Sequence, residues 1–184
     1  MNTVRWPPVY DAEELKVAIR ELRSHSEVSK NFYACNPKAT PCQGDIIQLD
    51  APIPLIWKDG KAATQGMFEH WLVIGNTCDF DREISDVEFT QIVPIVSVDS
   101  TNISHSDRQQ FLTYAYTRRF YLPPWDNSSN DVLFADFVKP VTVHKQAVLQ
   151  HATIKARLKF HSWLLLNSCL VRFLARDDGR FDSS

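Results

Sequence analysis

Glu69-His70-Trp71-Leu72-Val73-Ile74-Gly75-Asn76-Thr77-Cys78-Asp79-Phe80-Asp81 is the stretch on which the fold turns. Trp71 to Gly75 is a solid apolar run of strand length that ends at a glycine, which predicts a buried strand. Directly after it stands a dense set of groups able to take, give or hold a proton. A rigid scaffold handing over to a reactive loop has this composition.

Working outward, short strands are predicted on both sides. Gly44-Asp45-Ile46-Ile47-Gln48-Leu49 is the first, and Pro52 and Pro54 then force a path that the centre of a sheet does not accept. Leu55-Ile56-Trp57 and Ala62-Ala63-Thr64 flank Lys58-Asp59-Gly60-Lys61, whose Asp-Gly pair signals a protruding hairpin. Phe89 to Val98 reads as a buried strand, and Phe111 to Leu122 as an extended segment running up to Pro123-Pro124. Val132 to Val138 and Val141 to Val148 read as two more strands. Ala152 to Lys159 alternates apolar and polar residues, as a half-exposed strand does, and Ser162 then caps a helix carrying Trp163, Leu166, Leu170 and Phe173. That stripe packs on the sheet or forms a dimer face. The expected architecture is mainly β with flanking helices, closed or nearly closed into a small antiparallel barrel.

The ends differ from this centre. Asp11 and Glu14 are spaced as a capping box ahead of the stripe Leu15, Ala18, Ile19 and Leu22, predicting a helix over 11–25. Ser24 to Thr40 reads as a connector that Phe32 and Tyr33 pin to the body. The domain plan is therefore a helical extension and connector over 1–40, the barrel and C-terminal helix over 41–176, and a polar tail over 177–184.

With 184 residues, 44% of them hydrophobic and 23% charged, the chain can bury a substantial single core. A net charge of −2 removes a global basic field, so any nucleic-acid contact must come from a local patch. The scattered Cys35, Cys42, Cys78 and Cys169, with no leader and no run of membrane-spanning length, predict a cytoplasmic protein with reduced thiols. Cys35 and Cys42 lack the second close pair that a zinc site needs, so free thiols near the surface are expected.

The order Gly44-Asp45-Ile46-Ile47, Trp71-Leu72-Val73-Ile74, Ile92-Val93-Pro94-Ile95, Ala135-Asp136-Phe137-Val138-Lys139-Pro140-Val141 and a final helix resembles the MazF/PemK toxins. The resemblance spans residues 41–176 and implies an SH3-like barrel of a toxin–antitoxin system. It further implies a homodimer, an antitoxin partner, and cleavage of single-stranded RNA without metal or other cofactor. The leading helix and the stretch from Asp99 to Asn130 are extra to that family. Where the family carries an Arg-Pro pair with a catalytic arginine, this chain has His70-Trp71. Ser97 stands near the place of the family's other participant, a threonine or serine after the Val-Pro strand.

Metal-free RNA cleavage needs a base for the 2′-hydroxyl, a donor or cation for the phosphate and an acid for the leaving oxygen. His70 suits base or acid, Arg82 can grip phosphate through two hydrogen bonds, Ser97 or Thr77 can donate to it, and Asp79 can orient His70 or Arg82. The structural alternatives are a hydrogen-bonded histidine ahead of a buried strand, and Asp79 and Asp81 as Asx-turn residues after Asn76-Thr77. Cys78 with His70 is a further nucleophile pairing, opposed by the neighbouring acids, which disfavour a thiolate. Asp136 is read as bracing the Lys139 segment. Tyr114, Tyr116, Arg118, Arg119 and Tyr121 interleave rings and cations as an RNA-stacking strand does, with Lys58 and Lys61 extending the groove, although a half-exposed strand has the same composition. A rival class is a noncatalytic barrel that binds a protein partner or nucleic acid in a stress or phage-defence complex.

Overall fold

The computed structural model describes residues 32–35, 39–50, 55–58, 61–64, 68–126 and 131–174. The predicted 11–25 helix, the Asp59-Gly60 turn and the 177–184 tail lie outside them. The described chain is mainly antiparallel β-sheet with flanking helices. Its strands are β1 (Asp45–Leu49), β2 (Leu55–Lys58), β3 (Lys61–Thr64), β4 (His70–Val73), β5 (Phe89–Val98), β6 (Arg119–Leu122), β7 (Val132–Asp136), β8 (Val141–His144) and β9 (Ala152–Arg157). Its helices are α1 (Thr77–Asp81), α2 (His105–Leu112), α3 (Lys145–His151) and α4 (Phe160–Leu174). As the Asp-Gly signal predicts, β2 and β3 pair as a separate hairpin.

The other seven strands form one sheet in the order β6-β7-β5-β4-β1-β9, with β8 beside the first half of β5. β5 is the spine. On one edge its residues Ile92 to Pro94 pair with β4; on the other, Phe89 to Ile92 pair with β8 and Ile95 to Val98 with β7. Pro94, which has no N–H to donate, stands where the partner changes from β8 to β7.

Two-residue periodicity sorts the side chains to two faces. Ile46, Leu72, Val93, Ile95, Phe120, Leu122, Ala135 and Ala156 share one cluster with Leu165, Leu166 and Cys169 of α4. Six strands feed this cluster, so the sheet is curled around it. On the opposite face Ile47, Trp71, Val73, Ile92 and Val143 pack with Phe80 of α1 and Val148 of α3. A third cluster joins Phe111 of α2 to Val132 and Phe134. Burying a large apolar side chain is worth about 1.5–3 kcal/mol, so these clusters fix the curl.

The expected closure does not occur. The sheet path ends at β6 on one side and β9 on the other, leaving an open sheet. Phe32 and Tyr33 pin the connector into that opening. Tyr33 bridges to Leu158 just after β9, its hydroxyl donates to the Pro123 carbonyl just after β6 at 2.6 Å, and the Phe32 ring lies 6.3 Å from that of Phe120. Burial and the Tyr121 charge raise the Tyr33 pKa well above the ordinary tyrosine value.

Three boundaries also differ from expectation. The first part of Phe111–Leu122 is not extended: Ser104 caps α2 by accepting from Asp107 N at 3.1 Å, and Tyr114 leaves the helix with a left-handed φ of 53°. Val141–Val148 splits at His144, whose Nδ1 accepts from Gln146 N and starts α3. Ser162 is not a cap: α4 begins at Phe160, and the buried Ser162 hydroxyl is without a hydrogen-bond partner among the described residues.

Candidate functional site

His70 opens β4 on the face shared with Leu72, because it lies two residues away along the strand. Gln48 of β1 is paired with His70 and Thr153 of β9 with Gln48, so the three form a row across the concave face. The His70 and Trp125 rings meet edge to face with centroids 5.1 Å apart, and His70 Nδ1 lies 4.0 Å from the Glu69 carboxylate. Burial lowers the His70 pKa; Glu69 and Asp126 pull it upward and Lys155 downward, and the net direction is down. The imidazole is therefore predominantly neutral near pH 7.

Ser97 is on the same face of β5 as Val93 and Ile95. Trp71 opposite Pro94 is the last pair between β4 and β5, so His70 lies one step past that ladder, toward the Ile95–Ser97 half of β5. The Ser97 hydroxyl donates to Asp131 at 2.6 Å. The structure thus brings His70 and Ser97 to one concave face and adds Trp125, Asp131 and Lys155 to their surroundings. Sequence reading missed these three, and the one local sign of them was an aromatic residue directly after Pro123-Pro124.

Thr77, Asp79 and Arg82 do not join this group. They follow the far end of β4, and Phe80 anchors α1 to the opposite face of the sheet. Thr77 Oγ1 accepts from Gln43 N at 3.1 Å, and the exposed Arg82 guanidinium is 3.9 Å from Asp79. The buried Lys145 ammonium donates to the carbonyls of Asp79 and Arg82 at 2.8 and 2.6 Å, tying down this segment from beneath. The stretch is a short helix rather than an Asx turn, and Asn76 makes no side-chain cap. Gln43 completes the brace, since its amide donates to the Ile74 carbonyl and accepts from Trp163 Nε1, each at 2.8 Å.

Cys78 is likewise at that end, where its thiol donates to Asp79 at 3.8 Å. Burial first, then Asp45, pushes Cys42 up to about 12, and burial pushes Cys169 up to about 12. Cys169 is buried against the sheet rather than near the surface. Among the described residues no group of three or more His, Cys, Asp or Glu side chains is arranged to hold a metal ion.

The stacking strand is also revised. Tyr114 is buried and donates to the Tyr121 carbonyl at 3.2 Å, while Tyr116 donates to Asp107 at 2.8 Å. The Arg119 guanidinium lies over Phe134 at 4.8 Å, Tyr116 at 5.6 Å and Phe111 at 5.8 Å, so its cation is already held against three rings. Arg118 is exposed in the turn before β6. Lys58 and Lys61 end the β2–β3 pairing. Asp136 braces the turn as read from sequence, accepting from Val138 N at 3.2 Å and facing Lys139 Nζ at 3.6 Å.

Among the described residues no helix is long and apolar enough to cross a membrane. Compared with known proteins, the chain matches no family model and no curated protein.

Proposed function

We propose that this chain is a divergent MazF-like toxin whose curled sheet is an opened variant of the SH3-like barrel and whose concave face cuts single-stranded RNA without metal. The reading places it in a bacterial toxin–antitoxin or phage-defence system, with an antitoxin and a second copy of the chain as partners. One observation carries it: His70 and Ser97, the two positions that correspond to the family's reactive pair, share one face of neighbouring strands.

Neutral His70 takes the 2′-hydroxyl proton, the 2′-oxygen bonds to the adjacent phosphorus, and the bond to the 5′-oxygen breaks. The imidazolium formed in the first step returns its proton to that oxygen, leaving a 2′,3′-cyclic phosphate and a 5′-hydroxyl. The Ser97 hydroxyl, turned from Asp131, and the Lys155 ammonium serve the phosphate oxygens in place of the family's arginine. Arg82 has no part in this scheme.

The test is incubation of purified protein with single-stranded RNA in EDTA. Cleavage is expected, falling roughly a hundredfold or more in His70→Ala. RNA that stays intact at high protein concentration overturns the reading. The carboxylates of Glu69, Asp126 and Asp131 around the face favour a second one, a noncatalytic surface for a protein partner. Growth arrest on expression, relieved by His70→Ala, separates the two.

A further inference from the structure

On the side of the β5–β7 ladder opposite Ser97, a pocket of about 150 Å³ opens between α2 and the β6–β7 edge. Its apolar walls are Phe111, Leu112, Pro124 and Val132, and Tyr121 adds a phenol ring. Two charged side chains, Arg108 and Asp131, complete the lining. Asp131 is also the acceptor of the Ser97 hydroxyl, so the pocket and the reactive face share a residue. The helical wall comes from the Asp99–Asn130 stretch, which is extra to the MazF-like pattern.

We infer that this pocket holds a guanine base. A cavity of this size between apolar walls accepts one flat ring system. An unstacked RNA base is gripped by stacking on aromatic side chains and by hydrogen bonds to its edges. The charged pair selects the base. Guanine alone among the four presents two adjacent N–H groups, N1–H and the N2 amine, which a carboxylate accepts together. It also presents O6 and N7 as the two acceptors that a guanidinium forks onto. Adenine offers an amine where guanine offers O6, so it meets Arg108 with a donor. Cytosine and uracil fill less of the slot and lack the second edge. In its RNA form the inference rests on the proposed cleavage activity: a strand with a guanine seated here passes round the Asp131 end of β7 to reach the His70–Ser97 face.

Calorimetric titration of the full chain with GMP, AMP, CMP, UMP and IMP tests the pocket without reference to cleavage. GMP is expected to bind at least tenfold more tightly than AMP, CMP or UMP. IMP, which lacks the N2 amine, should be weaker than GMP by a similar factor, and Leu112→Trp, which fills the slot, should abolish the preference. A thermal melt shows that this variant folds. Four equal affinities, or a preference untouched by Leu112→Trp, overturn the inference. Guanine-containing single strands that compete with GMP assign the base to RNA, whereas failure to compete assigns the pocket to a free guanine nucleotide. Selective GMP binding by a protein that leaves RNA intact keeps the guanine pocket and removes the cleavage proposal. Cleavage with no guanine dependence and no GMP preference does the reverse.

Discussion

Asp45 and Arg157 are joined across β1 and β9 by two parallel hydrogen bonds, Nε to Oδ1 at 2.6 Å and Nη2 to Oδ2 at 2.7 Å. The Asp45 carboxylate is fully buried and also accepts from Cys42 N at 2.9 Å, while Arg157 reaches the Thr40 carbonyl at 2.7 Å. This pair holds the β9 edge to the sheet and fixes the loop that enters β1.

Breaking a buried pair by removing one partner strands the other charge, at a cost of about 3–5 kcal/mol. Asp45→Ala is expected to fall at the lower end, near 3 kcal/mol by the same comparison, because Arg157 retains some access to water. Urea unfolding measures it, and a loss below about 1 kcal/mol, typical of an exposed ion pair, contradicts the structural role assigned here.

Gly75 follows the apolar run because nothing larger fits there. A Cβ at this position falls 2.2 Å from Thr90 Oγ1 and 3.0 Å from Gln91 N. Gly75→Ala should cost about 1–3 kcal/mol by overpacking. The Thr90 hydroxyl is buried without a hydrogen-bond partner among the described residues, so Thr90→Ala gives up no bond seen there. The double variant should regain most of the loss, and a double-mutant cycle with coupling under about 0.5 kcal/mol shows the clash to be elsewhere.

Arg82 tests the geometry of the site directly. It is twelve residues from His70 in sequence but follows the opposite end of β4, with its guanidinium largely in solvent. Arg82→Ala is expected to leave the RNA cleavage rate within about twofold, in the range of ordinary surface substitutions. A hundredfold drop instead places the guanidinium at the phosphate and discards the His70–Ser97 arrangement.

What local pattern encodes, the sequence made legible. The buried apolar run marks β5 from Phe89 to Val98, the Asp-Gly pair places the β2–β3 hairpin, and alternation marks β9. Rings and cations concealed α2, since the Tyr-rich run after Phe111 has strand composition while the decisive signal, Ser104 three residues before Asp107, lies upstream. The edges that remain open depend on pairing between β6 and β9, which are distant in sequence and carry no local mark of whether they meet. At the site, Ser97 was named through the family resemblance and His70 for its imidazole, and the strand period then sets both on one side of the sheet. Arg82 and Thr77 were misplaced because nearness along the chain does not reveal which end of a strand a loop occupies. Trp125 and Asp131 reach the face only through tertiary packing.

His70 supplies a pH signature. Its unfolded pKa lies near 6.5, and burial lowers it in the folded protein. Between the two values the unfolded chain binds the extra proton, so the neutral imidazole contributes stability above about pH 6.5 that is lost as pH falls through the folded pKa. His70→Gln removes this slope, and denaturant titrations of both proteins on either side of pH 6.5 should converge toward acid conditions. The same neutral form is the base in the proposed cleavage, which predicts that kcat/KM holds through pH 6.5 and declines only below it. NMR titration of the His70 ring resolves the matter independently of activity: a midpoint above 6.5 means that Glu69 and Asp126 outweigh burial and Lys155, and both the stability slope and the acid limb then reverse or move accordingly.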